Sequence, residues 1–294
     1  MSYLSRAEYW QVVNNFFGER LPGRPDQNPY VASAVKNFVT GARKQLPDGR
    51  TFRYSQVGTG AFGVTAVATM VRPSWGVYSA IVAAVIETSV AAANAVLGAY
   101  SFVYTSIAAF PANHFQGGFA EYVHLGITYN VRIASHPLSA AGGAAVVITL
   151  SDPLPTAITA ADVVNLHRCG YADVRSSAQE GVEAIPKVND TFCTTIGVPL
   201  VAALEDEWFW LQVKGPAFVV PAGGNEGTVG YDRTVMFDTD GSVQRAALDY
   251  ITAAPGACRS KPQQIIPCTQ NALVLPQVPA ACTGCVYIML DLGD

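Results

Sequence analysis

Apolar and polar positions alternate along several short stretches of this chain, which is the period of a β-strand. In "TFRYSQV" (51–57) the alternation places Phe52 and Tyr54 on one side of a strand, and Val57 would join them only if the alternation shifts by one residue. "AAVVITL" (144–150) is instead a continuous apolar run, which predicts a strand that is buried on both faces. Two more alternating stretches predict strands: "AYSFVYTSI" (99–107) and "ITYNVRIAS" (127–135).

The second half of the chain adds further predicted strands. "EWFWLQVKGPAFVVPAG" predicts two strands that meet at Gly215-Pro216. "RTVMFDTDGSVQRAAL" predicts a hairpin that turns at Asp240-Gly241. "CVYIMLDL" predicts a final strand near the end of the chain.

One candidate helix interrupts the strands, at "TAITAADVVNLH", where Thr159 could cap and Asp162 stands three residues later. We interpret it as a short connector. The predicted fold is therefore all-β, a sandwich or barrel of short antiparallel strands with an extended N-terminal arm and few short helices. The predicted parts are the arm (1–46), a β-rich domain (47–250) and a Pro- and Cys-containing C-terminal segment that ends in a strand (251–294).

The predicted arm has a cluster of aromatic residues, followed by the Pro/Gly/Asn loop "GERLPGRPDQNPY", which has no strand or helix period. A segment that carries large apolar groups but cannot close its own core is typical of an arm that packs on a neighbouring subunit. The alternative is that it folds back on its own domain. The candidate partner-contact residues are Tyr9, Trp10, Phe16 and Phe17.

Composition narrows the classes of function. Half of the 294 residues are hydrophobic and only 14% are charged, against about 25% in ordinary soluble proteins. Much of the surface must therefore be apolar or uncharged, which favours an oligomer or a component of an assembly. The net charge of -4 and the lack of a Lys/Arg cluster argue against a nucleic-acid partner. The first residues lack a signal-peptide pattern, which predicts folding in a cytosol.

The longest apolar stretch, residues 76–110, is long enough to span a bilayer. It contains Glu87 and Asn94 and many Ala and Ser residues, and an ionisable group at mid-depth costs about 2.5–3.5 kcal/mol on insertion scales. We therefore expect no membrane partner, and buried strands with at most one Ala-rich helical turn.

The stretch "VGTGAFG" has the glycine spacing of a dinucleotide-binding loop, with Gly58, Gly60 and Gly63. That function requires a helix directly afterwards, whereas "VTAVATMV" has the β-branched pattern of a strand. We expect these glycines to bend the chain between strands. Asp48-Gly49 is predicted to form the turn that leads into the first strand of the β domain.

Partial metal-site patterns occur in two places. Asp238 to Asp240 is similar to the start of a calcium loop, but Asp249 stands where the bidentate glutamate belongs, so a β-turn is preferred. The last four cysteines could hold zinc, form disulfides under oxidising conditions or stay as buried thiols, which is the default. We expect no cofactor and no metal. The cysteines concerned are Cys258, Cys268, Cys282 and Cys285.

Catalytic patterns are absent from the sequence: there is no G-x-S-x-G and no H-E-x-x-H. The acidic trio Glu205-Asp206-Glu207 is interpreted as a solvated turn that enters a strand. We therefore expect no catalytic residues and no enzymatic activity. The histidines are scattered through different predicted elements: His114, His124, His136 and His167.

Three blocks of the chain, within residues 46–250, resemble in order the β-rich capsid decoration (cement) proteins of tailed bacteriophages. "LPDGRTFRYSQVG" is similar to that family's D-G-R-x-F-R-Y pattern. "HFQGGF", "SHPL" and "SDPL" match its aromatic-G-G-aromatic strand, Ser-His-Pro turn and D-P-L loop. "WFWLQVKGPAFVV…DRTVMFDTDGSV" resembles its W-x-Q-x-x-G-P-A strand pair and following hairpin. The chain departs from the family at His124-Leu125-Gly126, where an Asn/Asp/Gly-rich turn is usual.

The resemblance implies a virion protein that is made in the host cytoplasm and sits on the outer capsid surface. It implies binding to the major capsid protein, often as a homotrimer, and stabilisation of the head by clamping of neighbouring capsomers. A tail- or surface-associated adhesin or binding module is the alternative, because β-rich folds with exposed aromatic side chains also serve that role.

Overall fold

A computed structural model describes residues 20–58, 70–71, 73–79, 86–140, 142–160, 162–176, 195–220, 234–237, 243–245, 263–265 and 286–292. Within these ranges the regular secondary structure is β-strand and no helix occurs. The all-β prediction is therefore confirmed. Contacts divide the chain into unit 1, which is residues 1–38, 42–80 and 173–294, and unit 2, which is residues 39–41 and 81–172. The division at residues 46/47 and 250/251 stays a prediction.

Unit 1 is built on a 10-stranded antiparallel sheet. Its longest strand, β14 (Trp208–Val219), pairs with β2 (Thr51–Gln56) over its first part and with β18 (Val286–Asp291) over its second. The other strands of the sheet are β1 (Arg43–Gln45), β4 (Val77–Ser79), β11 (Val174–Ser176), β12 (Thr195–Pro199), β15 (Thr234–Phe237), β16 (Val243–Arg245) and β17 (Gln263–Ile265). A separate two-stranded pair is formed by β3 (Met70–Val71) and β13 (Ala203–Leu204).

β14 corrects one prediction. Gly215-Pro216 does not separate two strands, because a single strand of 12 residues runs through both. The register shifts between Gln212 and Lys214, and Gly215 adopts a φ of 92°, so the irregularity is a bulge within the strand. Gln212 Nε2 spans it by donating to the Pro216 carbonyl at 2.8 Å.

The predicted hairpin after β14 is confirmed in its pairing. β15 pairs antiparallel with β16, and Phe237 faces Val243 across the ladder. Its turn, including Asp238 and Asp240, lies outside the described residues. The predicted last strand is also confirmed as β18.

The turn predicted at Asp48-Gly49 is confirmed. Gly49 has a φ of 86°, and the Asp48 carboxylate accepts from the Arg50 backbone N–H at 3.0 Å and from Arg50 Nε at 2.7 Å. The turn leads into β2 as expected. Of the glycine motif that follows, Gly58 alone is described, and its N–H donates to the Val174 carbonyl. The bend at the later glycines stays a prediction.

Four aromatic rings form the core of unit 1 around β2 and β14. Tyr54 stacks on Trp208 with ring centroids 5.5 Å apart and meets Trp210 edge-on at 5.0 Å. Phe38 lies edge-on to Tyr54 and to Trp210. Aromatic pairs of this kind contribute about 0.5–1.5 kcal/mol each beyond area burial.

Gln27 connects the N-terminal segment to these rings. Its side chain is buried and its Oε1 accepts from the Tyr54 hydroxyl at 2.7 Å and from Asn37 Nδ2 at 3.0 Å. Its Nε2 donates to the Trp208 carbonyl, and its own carbonyl accepts from the Trp210 indole N–H. An unpaired buried polar group costs about 1–3 kcal/mol, so these bonds hold the segment against β2 and β14.

The described part of the predicted arm therefore folds back on its own unit. Ser33 and Trp208 exchange backbone hydrogen bonds of 2.8 and 2.7 Å, and Leu21 donates to the Asn37 carbonyl. Of the two alternatives left by the sequence, folding back holds for residues 20–38 of unit 1. The partner-contact role stays a prediction for four residues outside the described part: Tyr9, Trp10, Phe16 and Phe17.

Unit 2 is a 6-stranded antiparallel sheet. Its strands are β5 (Ile86–Val90), β6 (Ser101–Thr105), β7 (Phe119–His124), β8 (Ile127–Ser135), β9 (Ala145–Leu150) and β10 (Val163–His167). They are ordered β5-β10-β7-β8-β9-β6. The edge strands β5 and β6 meet through a bridge between Ala91 and Tyr104. The sheet thus curls back on itself around a core that includes Phe102, Tyr104, Tyr122, Ile133 and Ile148.

β9 was predicted to be buried on both faces, and this is wrong. Val146 and Ile148 are buried, but Val147 between them is 47% exposed. A curled sheet covers only its inner face, so a continuous apolar run on one strand leaves every second side chain on the outside.

The predicted helix in residues 156–167 is also wrong, because β10 occupies its second half and pairs with β5 on one side and β7 on the other. The capping pattern does form its local hydrogen bond: Asp162 Oδ2 accepts from the Thr159 N–H at 2.7 Å. Val163 and Val164 then continue as a strand, since two neighbouring ladders satisfy their backbone groups and β-branched residues favour strands.

The apolar stretch at residues 76–110 contains β4, β5 and β6, as the preference for strands predicted. Among the described residues there is no helix that is long and apolar enough to cross a membrane. Glu87 is buried in this stretch, and its Oε1 accepts from the Ile107 and Ala108 N–H groups. Oε1 thus has backbone partners in place of water, whereas Oε2 is buried without a hydrogen-bond partner.

The Gly-Gly and Ser-His-Pro motifs meet at one turn of unit 2. His136 Nε2 accepts from the Phe115 N–H at 2.9 Å, and its Nδ1–H donates to the Pro137 carbonyl at 2.8 Å. The imidazole is therefore neutral, and burial lowers its pKa. A Cβ on Gly118 would lie 1.9 Å from the His167 carbonyl oxygen, so only glycine fits there.

We expect Tyr54→Phe to lower the free energy of unfolding by about 1–3 kcal/mol, because it leaves the buried Asn37 backbone N–H without its acceptor and removes one of the two hydrogen bonds to Gln27 Oε1. Urea unfolding followed by tryptophan fluorescence measures this. Tyr100→Phe is the matched control, since Tyr100 is 59% exposed. Equal stability of both variants would show that the Gln27 network adds nothing.

We expect acid to weaken the fold between about pH 6.5 and 4. Burial, together with Arg168 and His136, lowers the pKa of His114 to about 4, whereas an unfolded histidine binds a proton below about 6.5. Protonation therefore favours the unfolded chain as the pH falls through this window. His114→Gln should reduce the fall in the free energy of unfolding between pH 7 and 4.5 by on the order of 1 kcal/mol. Urea unfolding at these two pH values measures this. An unchanged slope would contradict this.

Candidate interaction surface

One end of unit 2 gathers three connections, because β5, β7 and β9 finish there and β6, β8 and β10 begin there. The connections lie within residues 91–100, 125–126 and 151–160. Ala95 and Ile158 exchange backbone hydrogen bonds of 2.8 and 2.9 Å. His124 Nδ1 lies 2.8 Å from Asp162 Oδ2. The last connection is thus joined to both of the others.

Large apolar side chains in the described part of unit 2 are exposed mainly at this end. Leu125 is 88% exposed, Val96 74% and Leu97 67%. Isolated exposed apolar residues are common, but a local concentration of them marks an interaction site. We name the following group the apolar end: Val96, Leu97, Tyr100, Val123, Leu125 and Ile127.

The connections that form the apolar end contain no cation, and the adjacent cation is Arg132 of β8, whose carbonyl accepts from the Ser151 N–H. The described residues of 90–100, 123–127 and 151–163 include no Lys or Arg. Burial opposes ionisation of Asp162, but hydrogen bonds from Thr159 and His124 outweigh it and lower the pKa of this carboxyl. A phosphate backbone or an anionic lipid surface requires cations, so the end suits an apolar protein surface better.

The β7–β8 turn at the tip of this end has an unusual residue. His124 pairs with Ile127, and the two residues between them both have positive φ, 50° at Leu125 and 79° at Gly126. Positive φ at both central positions is the pattern of a type I′ turn, for which Asn-Gly is preferred. Leucine rarely adopts this conformation.

Unit 1 exposes a smaller apolar group in the N-terminal segment. Tyr30 and Val31 are each 52% exposed and Val35 is 45% exposed. Arg50 Nη1 donates to the Tyr30 hydroxyl at 2.9 Å. Lys36 lies 4.8 Å above the Trp208 ring, so cations accompany this surface, unlike the apolar end.

In the part of the chain that the structure describes, the acidic trio and the histidines lie in separate elements, although His114 and His136 both contact the Phe115 ring. Glu205 to Glu207 form the expected turn before β14, in which Asp206 has a φ of 65° and Glu207 donates to the Leu204 carbonyl. The described residues hold no group of three or more His, Cys, Asp or Glu side chains that could bind a metal ion. Cys169 is buried. The four cysteines of the candidate zinc site lie outside the described part of the chain.

The geometry so far defines an all-β protein with exposed apolar side chains concentrated at one end of unit 2. No protein-family model, no curated protein and no solved structure matches this chain.

Sequence reasoning located candidate contact residues in the arm and missed the apolar end. A signal for it was present: Leu125 stands directly before Gly126 between alternating strands, where turn chemistry favours Asn or Asp. The concentration of exposed residues from separate connections, by contrast, follows only from strand order.

We expect Asp162→Ala to lower the free energy of unfolding by about 1–3 kcal/mol, because it removes the acceptor of the Thr159 N–H and of His124. Urea unfolding gives the change, and hydrogen exchange at Thr159 should accelerate. Asp152→Ala is the matched control at an exposed position. If both variants lose the same stability, the hydrogen bonds that Asp162 accepts do not stabilise the fold significantly.

Proposed function

We propose that this chain is a structural protein of a bacteriophage virion, a capsid decoration protein that binds the major capsid protein and stabilises the head. The observation that carries the proposal is the cation-free apolar end of unit 2. It supports binding to a protein surface, and the resemblance of the three sequence blocks implies that this surface is the capsid.

The positions of these blocks in the fold support the resemblance. The D-G-R-x-F-R-Y block forms the turn and the first part of β2, the W-x-Q-x-x-G-P-A block lies in β14, and the strands pair with Tyr54 opposite Trp210. The Gly-Gly and Ser-His-Pro motifs share the turn around His136. Residues that carry the likeness therefore contact each other, which is expected if they maintain a common fold.

The energetics of decoration suit a surface of this kind. Full burial of one Val or Leu side chain contributes about 1.5–3 kcal/mol before the costs of association. A homotrimer would present three apolar ends to a repetitive shell, and linked contacts raise the overall affinity far above that of one contact. We therefore propose a homo-oligomer, a trimer in the first instance, on the outer capsid surface.

The test uses the purified full-length chain and shells assembled from the major capsid protein of the same phage. The protein should sediment with the shells and raise the temperature at which they rupture. Protein that stays in the supernatant and leaves the rupture temperature unchanged would contradict the proposal. Binding to a host-surface glycan without binding to shells would favour the adhesin alternative.

A further inference from the structure

We infer that Leu125 is the side chain with which this protein enters an apolar pocket of the major capsid protein. The inference rests on the proposed function and deepens it, because it assigns the contact to one residue at the tip of the β7–β8 hairpin. The partner is a protein surface that provides an apolar recess.

Leu125 is unfavourable for the isolated chain in two ways. Its φ is 50°, a conformation that side chains other than Gly, Asn and Asp rarely adopt. It is also 88% exposed, so packing within the chain does not offset the strain. The other described non-glycine residues with positive φ all have short polar side chains: Ser74, Asn113 and Asp206.

Strained residues persist where the surrounding structure holds them and where function requires them. β7 pairs with β8 along its whole length, and with β10 from Phe119 to Tyr122. His124 is joined to Asp162, and Tyr122 stacks on Tyr129 across the hairpin with centroids 5.3 Å apart. These contacts hold the base of the tip in place, which reduces the entropy lost when Leu125 is bound.

The charges near Leu125 restrict the chemical class of the partner. The nearest ionisable side chains along the three connections are His124, Asp152 and Asp162, and no described residue there is a cation. Anionic lipid and nucleic acid therefore lack a counter-charge at this end. An aliphatic side chain with no donor or acceptor also gives a polar glycan nothing to bond, whereas an apolar protein pocket gains from its burial.

The decisive variant is Leu125→Asn, which removes the apolar side chain and supplies the Asn-Gly pair that this turn prefers. Thermal unfolding should shift upward by about 2–4 °C, while the affinity for shells of the major capsid protein falls about 10- to 30-fold. Opposite signs of the two effects distinguish a binding role from a structural one. Leu125→Met, which keeps the apolar bulk, should retain binding.

Leu138→Asn is the matched control, because Leu138 is 63% exposed in the connection at the other end of unit 2. It should bind shells as the unsubstituted protein does. If the unsubstituted protein binds shells and Leu125→Asn binds equally well, this inference fails while the proposed function stands. If Leu125→Asn instead dissociates the oligomer with shell binding intact, the occupant is a second copy and the inference is overturned. Failure of the unsubstituted protein to bind shells overturns both.

Discussion

The pairing of β2 with β14 is the interaction on which unit 1 depends. It places Tyr54 opposite Trp210 and stacks it on Trp208, which creates a ring cluster with polar atoms that need buried partners. Gln27 supplies those partners, and the N-terminal segment is thereby tied to the sheet. A segment with no regular secondary structure can be well ordered when hydrogen bonds of this kind satisfy its neighbours.

Unit 2 is governed by a different constraint: a curled sheet has one inner face, and only the side chains on that face can be buried in its core. Every second side chain of β9 faces outward, and the connections at one end add Val96, Leu97 and Leu125 to the exposed surface. In a chain with few charged residues, the exposed apolar side chains of unit 2 are thus concentrated at one end. A localised apolar patch favours binding to a specific partner over nonspecific association.

The apolar end combines local stability with local strain. The His124–Asp162 contact and the ladder between β7 and β8 hold the base of the tip in place. Leu125 is thereby kept in a backbone conformation that leucine rarely adopts. In the proposed decoration function, the cost to the free chain is recovered when the side chain is buried. Stability and binding would then oppose each other at this residue.

The sequence by itself determined the strand character of the chain, the turn at Asp48-Gly49 and the confirmed β15–β16 pairing, since alternation and turn residues act over a few neighbours. Tertiary structure decided the rest. It made a strand of the candidate helix after Asp162, because two ladders outweighed a capping pattern, and it carried β14 through Gly215-Pro216 with a bulge. Tertiary structure also brought the residues of the apolar end together from separate parts of the chain. Strand order brings distant residues together, and no local pattern encodes that order.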